Sequence, residues 1–313
     1  MRALPFLVVL ALGGCGDSSS TECRYGAECA SGACNADGTC VPVDEDAGID
    51  GSHALDDGGE GDAQSDAGLT DGGGRDDGGD PALCQPDGNG RIDRSEVPLA
   101  AGLRASFEVA FDAAVSMAGT ADGEGRRWDL SGALEGDHLS LVETRSLEGT
   151  WFGPDFSGAT YAARLSDTED ELGVFEVTGD ALLLRGVVSP EDGFGRTEIA
   201  YEPPVTVLSF PFERGDSWTT ESTASDVLVG IPVATERYDV QVDANGTVAV
   251  PYGEFPVLRI RVDLTRTVGF SATTIRTFLF VSECFGTVAS VVSFEDEDEV
   301  EFTRAAEASR LAP

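Results

Sequence analysis

Apolar and polar side chains alternate along much of the chain from Val97 onward. The clearest stretch is Val257 to Leu264, where Leu258, Ile260, Val262 and Leu264 alternate with Arg259, Arg261 and Asp263. Successive side chains of a strand point to opposite faces, so this period of two predicts an antiparallel strand with one buried face. Similar short runs occur at 103–111, 127–131, 138–144, 161–165, 173–178, 182–188 and 206–210, and again at 237–242, 247–250, 275–281, 287–294 and 300–304. Asn245-Gly246 falls between two of these runs and predicts a tight turn with positive φ. No stretch carries the period of a long amphipathic helix. Many short strands at close spacing predict a mostly β domain over 97–313, an antiparallel meander forming a curved sheet or open β-barrel.

The first residues follow a different pattern. Arg2 precedes an apolar run from Ala3 to Leu12 that is too short to span a bilayer, and Leu12-Gly13-Gly14-Cys15 follows it. This resembles the signal of bacterial lipoprotein precursors. The resemblance implies removal of residues 1–14, lipidation of Cys15, and attachment to the bacterial cell envelope at the outer membrane, on its periplasmic or surface face. More than one acyl chain at Cys15 would make that attachment persistent, since a single chain binds only marginally.

Charge narrows the partners. The 313 residues carry a formal net charge of -37, and every basic residue is an arginine. Such a surface repels nucleic acid and anionic headgroups, so contact with the membrane must come through the N-terminal lipid. Seven cysteines are present. With Cys15 assigned to lipid, the even remainder in an exported chain reads as disulfides: a cluster of Cys23, Cys29, Cys34 and Cys40, whose connectivity stays open, and a distant pair, Cys84 and Cys284. The expected order is a tether at 15–22, a disulfide-rich module at 23–41 too small to hold a core without its staples, and a linker at 42–83. Aspartate, glycine and alanine dominate the linker, which has no aromatic side chain and so predicts an extended, disordered arm. The spacing of the four clustered cysteines resembles the small four-cysteine knots near the N-termini of bacterial surface proteins.

Residues 84–96 contain Gln85-Pro86-Asp87-Gly88-Asn89-Gly90-Arg91-Ile92-Asp93-Arg94-Ser95-Glu96. This resembles the calcium loop of EF-hands and dockerin-type modules. The resemblance implies oxygen ligands from Asp87, Asn89, the Arg91 carbonyl, Asp93 through water and Glu96 through both carboxylate oxygens, with Gly90 at the sharp turn. Gln85 stands where that family has aspartate, so the expected calcium affinity is weak, roughly 0.1 to 1 mM. Further on, Phe210-Pro211-Phe212, Gly215-Asp216-Ser217-Trp218, Val250-Pro251-Tyr252-Gly253-Glu254-Phe255 and Phe285-Gly286-Thr287-Val288 resemble exported bacterial lipoproteins of unknown activity. That resemblance implies a strongly curved sheet and a location, and it transfers no catalytic residue.

Catalytic signatures are sparse. Of two histidines, His53 lies in the linker and His138 on a predicted strand, and no Gly-x-Ser-x-Gly elbow, zinc-protease helix or phosphate loop occurs. Trp128, Trp151 and Trp218 read as core aromatics, and the acidic run Glu295–Glu299 reads as a solvated hairpin tip. The expectation is a non-enzymatic, membrane-anchored binding or scaffolding domain, its partner an envelope protein or a hydrophobic ligand. The alternatives are a carrier holding a hydrophobic ligand in the concave sheet and a carboxylate-based hydrolase.

Overall fold

The computed structural model describes Cys84 and residues 86–313. Cys15, the cysteines of 23–41, the linker and Gln85 lie outside the described residues. The strands in chain order are β1 (Arg91–Ile92), β2 (Arg104–Ala114), β3 (Thr120–Asp122), β4 (Gly125–Asp129), β5 (His138–Arg145), β6 (Tyr161–Arg164), β7 (Leu172–Val177) and β8 (Ala181–Val188). They continue as β9 (Glu198–Ser209), β10 (Phe212–Glu213), β11 (Ser217–Asp226), β12 (Ile231–Val250), β13 (Gly253–Val268), β14 (Ser271–Ser282), β15 (Gly286–Val292) and β16 (Arg304–Ala312). Among the described residues the only helical elements are 3-10 turns, at Arg94–Glu96 and Gly153–Phe156.

Twelve of the strands form one antiparallel sheet in the order β11-β9-β8-β7-β6-β5-β2-β16-β15-β14-β13-β12, and β11 also pairs with β12. The expected antiparallel meander, a curved sheet or open barrel, is present, and the pairing of its end strands closes it into a barrel. Its interior is a packed core: Val240, Ile260, Val262 and Leu279 from one wall meet Leu184, Val187, Val205 and Val207 from the other. The outer face of β11 to β13 instead carries Arg237 with Glu221 and Arg261 with Asp263. Along these three strands the side chains are apolar inside and charged outside, the reverse of the apolar outer band of a transmembrane barrel. No helix of the described residues is long and apolar enough to cross a membrane.

One face cannot account for β14, because Phe278 and Phe280 are as buried as Leu279 and Val281. The two phenylalanines belong to a second core, on the outer face, with Val291, Ala308, Met117, Trp128 and Phe302. Arg259 lies in this layer. Its guanidinium stands 4.4 Å from the ring centre of Phe278 and 5.2 Å from that of Trp128, and it pairs with Asp243 at 2.9 Å and Glu301 at 2.8 Å. Both carboxylates are needed where the cation is nearly dry, since an unmatched buried charge is costly.

The expected turn at Asn245-Gly246 is absent. Both residues lie inside β12, opposite Leu258 and Val257, with a register shift between Val242 and Ala244 that bends the strand. Above the bend β12 pairs with β11; below it, that edge is taken in parallel by β4. Glycine is required at 246 for another reason: a Cβ there would sit 1.8 Å from the carbonyl oxygen of Arg126 on β4. The chain reverses instead at Pro251-Tyr252. The expected strand at 300–304 is loop apart from Arg304, which begins β16, a strand with no sequence expectation behind it.

The lower end of the barrel is stoppered. Cys84 is bonded to Cys284, β1 pairs with β10, and the Cys284 amide donates to the Glu96 carbonyl at 2.7 Å. Ile92, Val97 and Leu99 thereby join the interior core beside Phe210 and Phe212.

Candidate functional site

Besides the ion pairs of buried Arg259 and those of buried Arg310 with Asp137 and Glu108, polar groups gather at the loop of the stopper, at the seam between β5 and β6, and at the upper mouth of the barrel.

At the stopper, short side-chain to backbone hydrogen bonds hold the loop. The Asn89 amide donates to Asp87 Oδ1 at 2.9 Å, the Arg91 amide to Asn89 Oδ1 at 2.7 Å, and the Asp93 amide to Glu96 Oε2 at 2.8 Å. Gly88 and Gly90 take positive φ, +65° and +82°, so the chain can turn back on itself twice within three residues. The sequence-derived ligands separate into two groups. Asp87 and Glu96 converge, whereas the Asp93 carboxylate turns to Arg91 Nε at 3.3 Å. Glu283, from the β14–β15 turn, completes a cluster in which one oxygen from each of Asp87, Glu96 and Glu283 lies within 4.8 Å of the others. Burial raises the pKa of Glu96, and the nearby Glu283, Asp87 and Asp93 carboxylates push it the same way. Glu283 was not foreseen, although its place beside Cys284 was a signal: the bond to Cys84 carries it to the loop.

At the seam, only Thr144 and Arg145 of β5 pair with Ala163 and Ala162 of β6. Above them side chains close the gap. His138 Nε2 is 2.5 Å from Asp167 Oδ2, Ser140 donates to Asp167 Oδ1, and Ser166 donates to the buried Glu307 of β16 at 2.8 Å. The hydroxyl of Ser140 thus faces a carboxylate rather than the imidazole, so His138 is not placed to activate it. The hydrogen bond to Asp167 raises the His138 pKa against the modest lowering by burial. Burial works to raise Asp167, but hydrogen bonds from Ser140 and His138 hold its pKa below the usual range.

At the upper mouth, register stacks the interior side chains in layers. Val240 opposite Val262 and Tyr238 opposite Leu264 are followed by Glu236 opposite Arg266. Glu236 is buried, and it accepts a hydrogen bond from Arg266 Nε at 2.6 Å and another from the Tyr238 hydroxyl. Burial raises the pKa of Tyr201 and Tyr238, keeping both phenols protonated beside it. Above this layer Ala224 faces Ala234 across β11 and β12, and two methyl groups do not fill the space. A cavity of about 570 Å³ remains, walled by Val187, Ile199, Tyr201, Val233 and Val268. Glu198 beside the mouth is buried; burial and the adjacent Asp155 raise its pKa, while Arg196, 3.1 Å away, partly offsets this.

No family model matches the chain. No curated protein matches it. Two solved structures show a likeness. One is a candidate lipoprotein from Parabacteroides distasonis, with 8% identity and a TM-score of 0.32, covering 68% of this chain and 95% of that one. The other is a candidate exported protein with a YmcC-like fold from Bacteroides fragilis, with 10% identity and a TM-score of 0.28, covering 68% of this chain and 96% of that one. The class of the domain, a closed antiparallel β-barrel, rests on its own strand order and register.

The seam makes stability depend on pH. A histidine whose folded pKa is raised stabilises the fold fully below its unfolded value, about 6.5, and that contribution is lost as pH rises through the folded value. In urea unfolding, wild type should exceed His138→Gln in stability at about pH 6, and the difference should shrink by about pH 9. An equal difference at both values would show that the imidazole acts by packing alone.

Proposed function

We propose that this chain is a bacterial envelope lipoprotein, anchored through Cys15 at the outer membrane, whose barrel is a non-enzymatic binding domain with its site at the upper mouth. The observation that carries the binding reading is the cavity above the Glu236–Arg266 layer. Its volume lies within the range of about 300 to 1,000 Å³ typical of small-molecule sites, and its walls are mainly apolar. Filling of the deeper interior by side chains argues against a carrier that uses the whole concave face. The polar groups beneath the cavity already satisfy one another: Glu236 is matched by Arg266 and Tyr238, an arrangement that supports a fixed floor rather than a reacting centre.

A second reading concerns calcium, and the convergence of Asp87, Glu96 and Glu283 favours it. Three carboxylates so close repel one another, and a divalent cation would remove that cost. The site would therefore act as a latch, holding the loop against the β14–β15 turn that the disulfide already staples.

Three measurements test these statements. Replacing Cys15 with serine should move the protein out of the membrane fraction, and unchanged partition would contradict the anchor. Nile red, a neutral apolar dye, should bind the mature protein saturably, and Ala234→Phe, which fills the cavity, should remove that binding while thermal unfolding stays cooperative. Absence of saturable binding by the wild type would refute the binding reading. For the latch, 1 mM calcium should stabilise the domain relative to chelator by about 0.4 to 1.4 kcal/mol if the dissociation constant is roughly 0.1 to 1 mM. Glu96→Ala or Glu283→Ala should abolish the gain and Gln85→Asp should enlarge it; a full gain in both alanine variants would refute the latch.

A further inference from the structure

Two phenylalanines, Phe194 and Phe270, stand fully exposed, each beside a glycine at the tip of a hairpin. Phe194 is on the β8–β9 turn and Phe270 on the β13–β14 turn, and the β11–β12 turn between them exposes Leu228, Val229 and Ile231. β9 pairs with β11 and β12 with β13, so these three hairpins are consecutive around the barrel. Val188 opposite Glu198, Asp226 opposite Ile231 and Val268 opposite Ser271 bring all three tips to the end away from the stopper.

Charge is absent from most of this arc. Residues 227–235 and 267–275 contain no charged side chain, in a chain whose formal net charge is -37. The next hairpin on either side is acidic: the β6–β7 turn has Asp167, Glu169, Asp170 and Glu171, and the β15–β16 loop has Glu295–Glu299. Asp170 is paired with Arg164 and Asp167 with His138, but the loops keep a negative net charge, and its field acts beyond any single contact. Shape narrows the occupant further. The apolar side chains project on separate tips, past the last paired residues of their strands. A protein partner has to match such a surface point by point, whereas lipid closes around any projecting apolar group. Chain length allows that contact: the segment from Cys15 to Cys84 can extend over at most about 240 Å. β13, with 16 residues, spans only about 50 Å. A bilayer holding a lipid on Cys15 is therefore within reach of the end opposite Cys84.

We propose that the three tips make a second, reversible contact with the bilayer, inserting Phe194, Phe270, Leu228 and Val229 among the headgroups of a zwitterionic lipid surface. This rests on the envelope-lipoprotein reading for its setting and is independent of whether the cavity binds a ligand. The apolar tips supply the affinity, and the acidic hairpins on either side exclude anionic lipid. The contact is weaker than that of a single acyl chain, which half-binds at about 0.1 mM lipid, so loss of the lipid on Cys15 still releases the chain when broken cells are diluted. Docking by these tips turns the mouth of the cavity toward the membrane.

The test floats the full mature chain, as Cys15→Ser and so without lipid, with phosphatidylcholine vesicles at about 1 to 10 mM lipid, above the single-chain scale. The chain should float with the vesicles. Phe194→Ser/Phe270→Ser should weaken the partition at least about tenfold and leave the thermal midpoint unchanged, since both rings already face water. Tyr252→Ser, at an exposed turn of the stoppered end, should change nothing. Adding phosphatidylglycerol should lower binding, and salt should restore it. No flotation across that range, or full flotation of the double phenylalanine variant, overturns the contact. Stronger binding to the anionic vesicles overturns the zwitterionic assignment. Self-association without vesicles, abolished by the same double variant, would give the tips to a second copy of the chain and overturn the proposal. Acylation of Cys15 is read separately in cells and Nile red binding in solution, so the anchor, the cavity and the tips can each fail alone.

Discussion

Pairing of β11 with β12 is the constraint on which the rest of the structure depends. It joins the two ends of a twelve-strand sheet, from Ser217 opposite Gln241 to Asp226 opposite Ile231. Without it both strands would present rows of unpaired amides and carbonyls, and the interior core would face water along its whole length. With it, the same backbone frames the mouth. The small pair Ala224 and Ala234 and the ion pair of Glu236 with Arg266 stand at successive levels of these strands, so the closing contact also sets the walls and floor of the cavity.

Closure buries the inner face of the strands, and a second layer over the outer face buries the other side of several of them. β12 is 20 residues long, more than closure needs, and its bend between Val242 and Ala244 directs the lower half to pair with β4. The β3–β4 hairpin brings Trp128 over the outer face of β14, where its indole nitrogen donates to the Met117 carbonyl at 2.8 Å. Arg259 fits between Trp128 and Phe278 because two carboxylates and a carbonyl share its charge. A second apolar layer outside the barrel thus accommodates an arginine that simple alternation would have left in water.

That layer also marks the limit of what the sequence discloses. Strict alternation in Val257 to Leu264 made β13 legible, since one face meets the interior and the other carries charge. β16 escaped notice because Arg304 to Ala312 is rich in alanine, has no β-branched residue, and is buried on both faces, so neither period nor propensity signals a strand. Asn245-Gly246 suggested a turn because the pair is common in hairpins, yet the glycine serves close backbone approach within a strand. The spacing at 87–96 singled out Asp87 and Glu96, which converge in the structure, but Glu283 beside them comes from a turn nearly two hundred residues on. The mouth was illegible for a related reason: it depends on which alanines face each other across β11 and β12, a fact of register and closure rather than of local pattern.

Amide hydrogen exchange across β11 and β12 tests closure most directly. If the barrel is closed, the amides of Thr219 to Ala224 that face β12, and those of Ala234 to Val240, should exchange as slowly as those in the middle of β13, because they lie in ladders that open only with the whole domain. Exchange along β11 as fast as that of a solvent-facing edge strand, with β13 still protected, would contradict a closed barrel and with it the cavity that the closing strands frame.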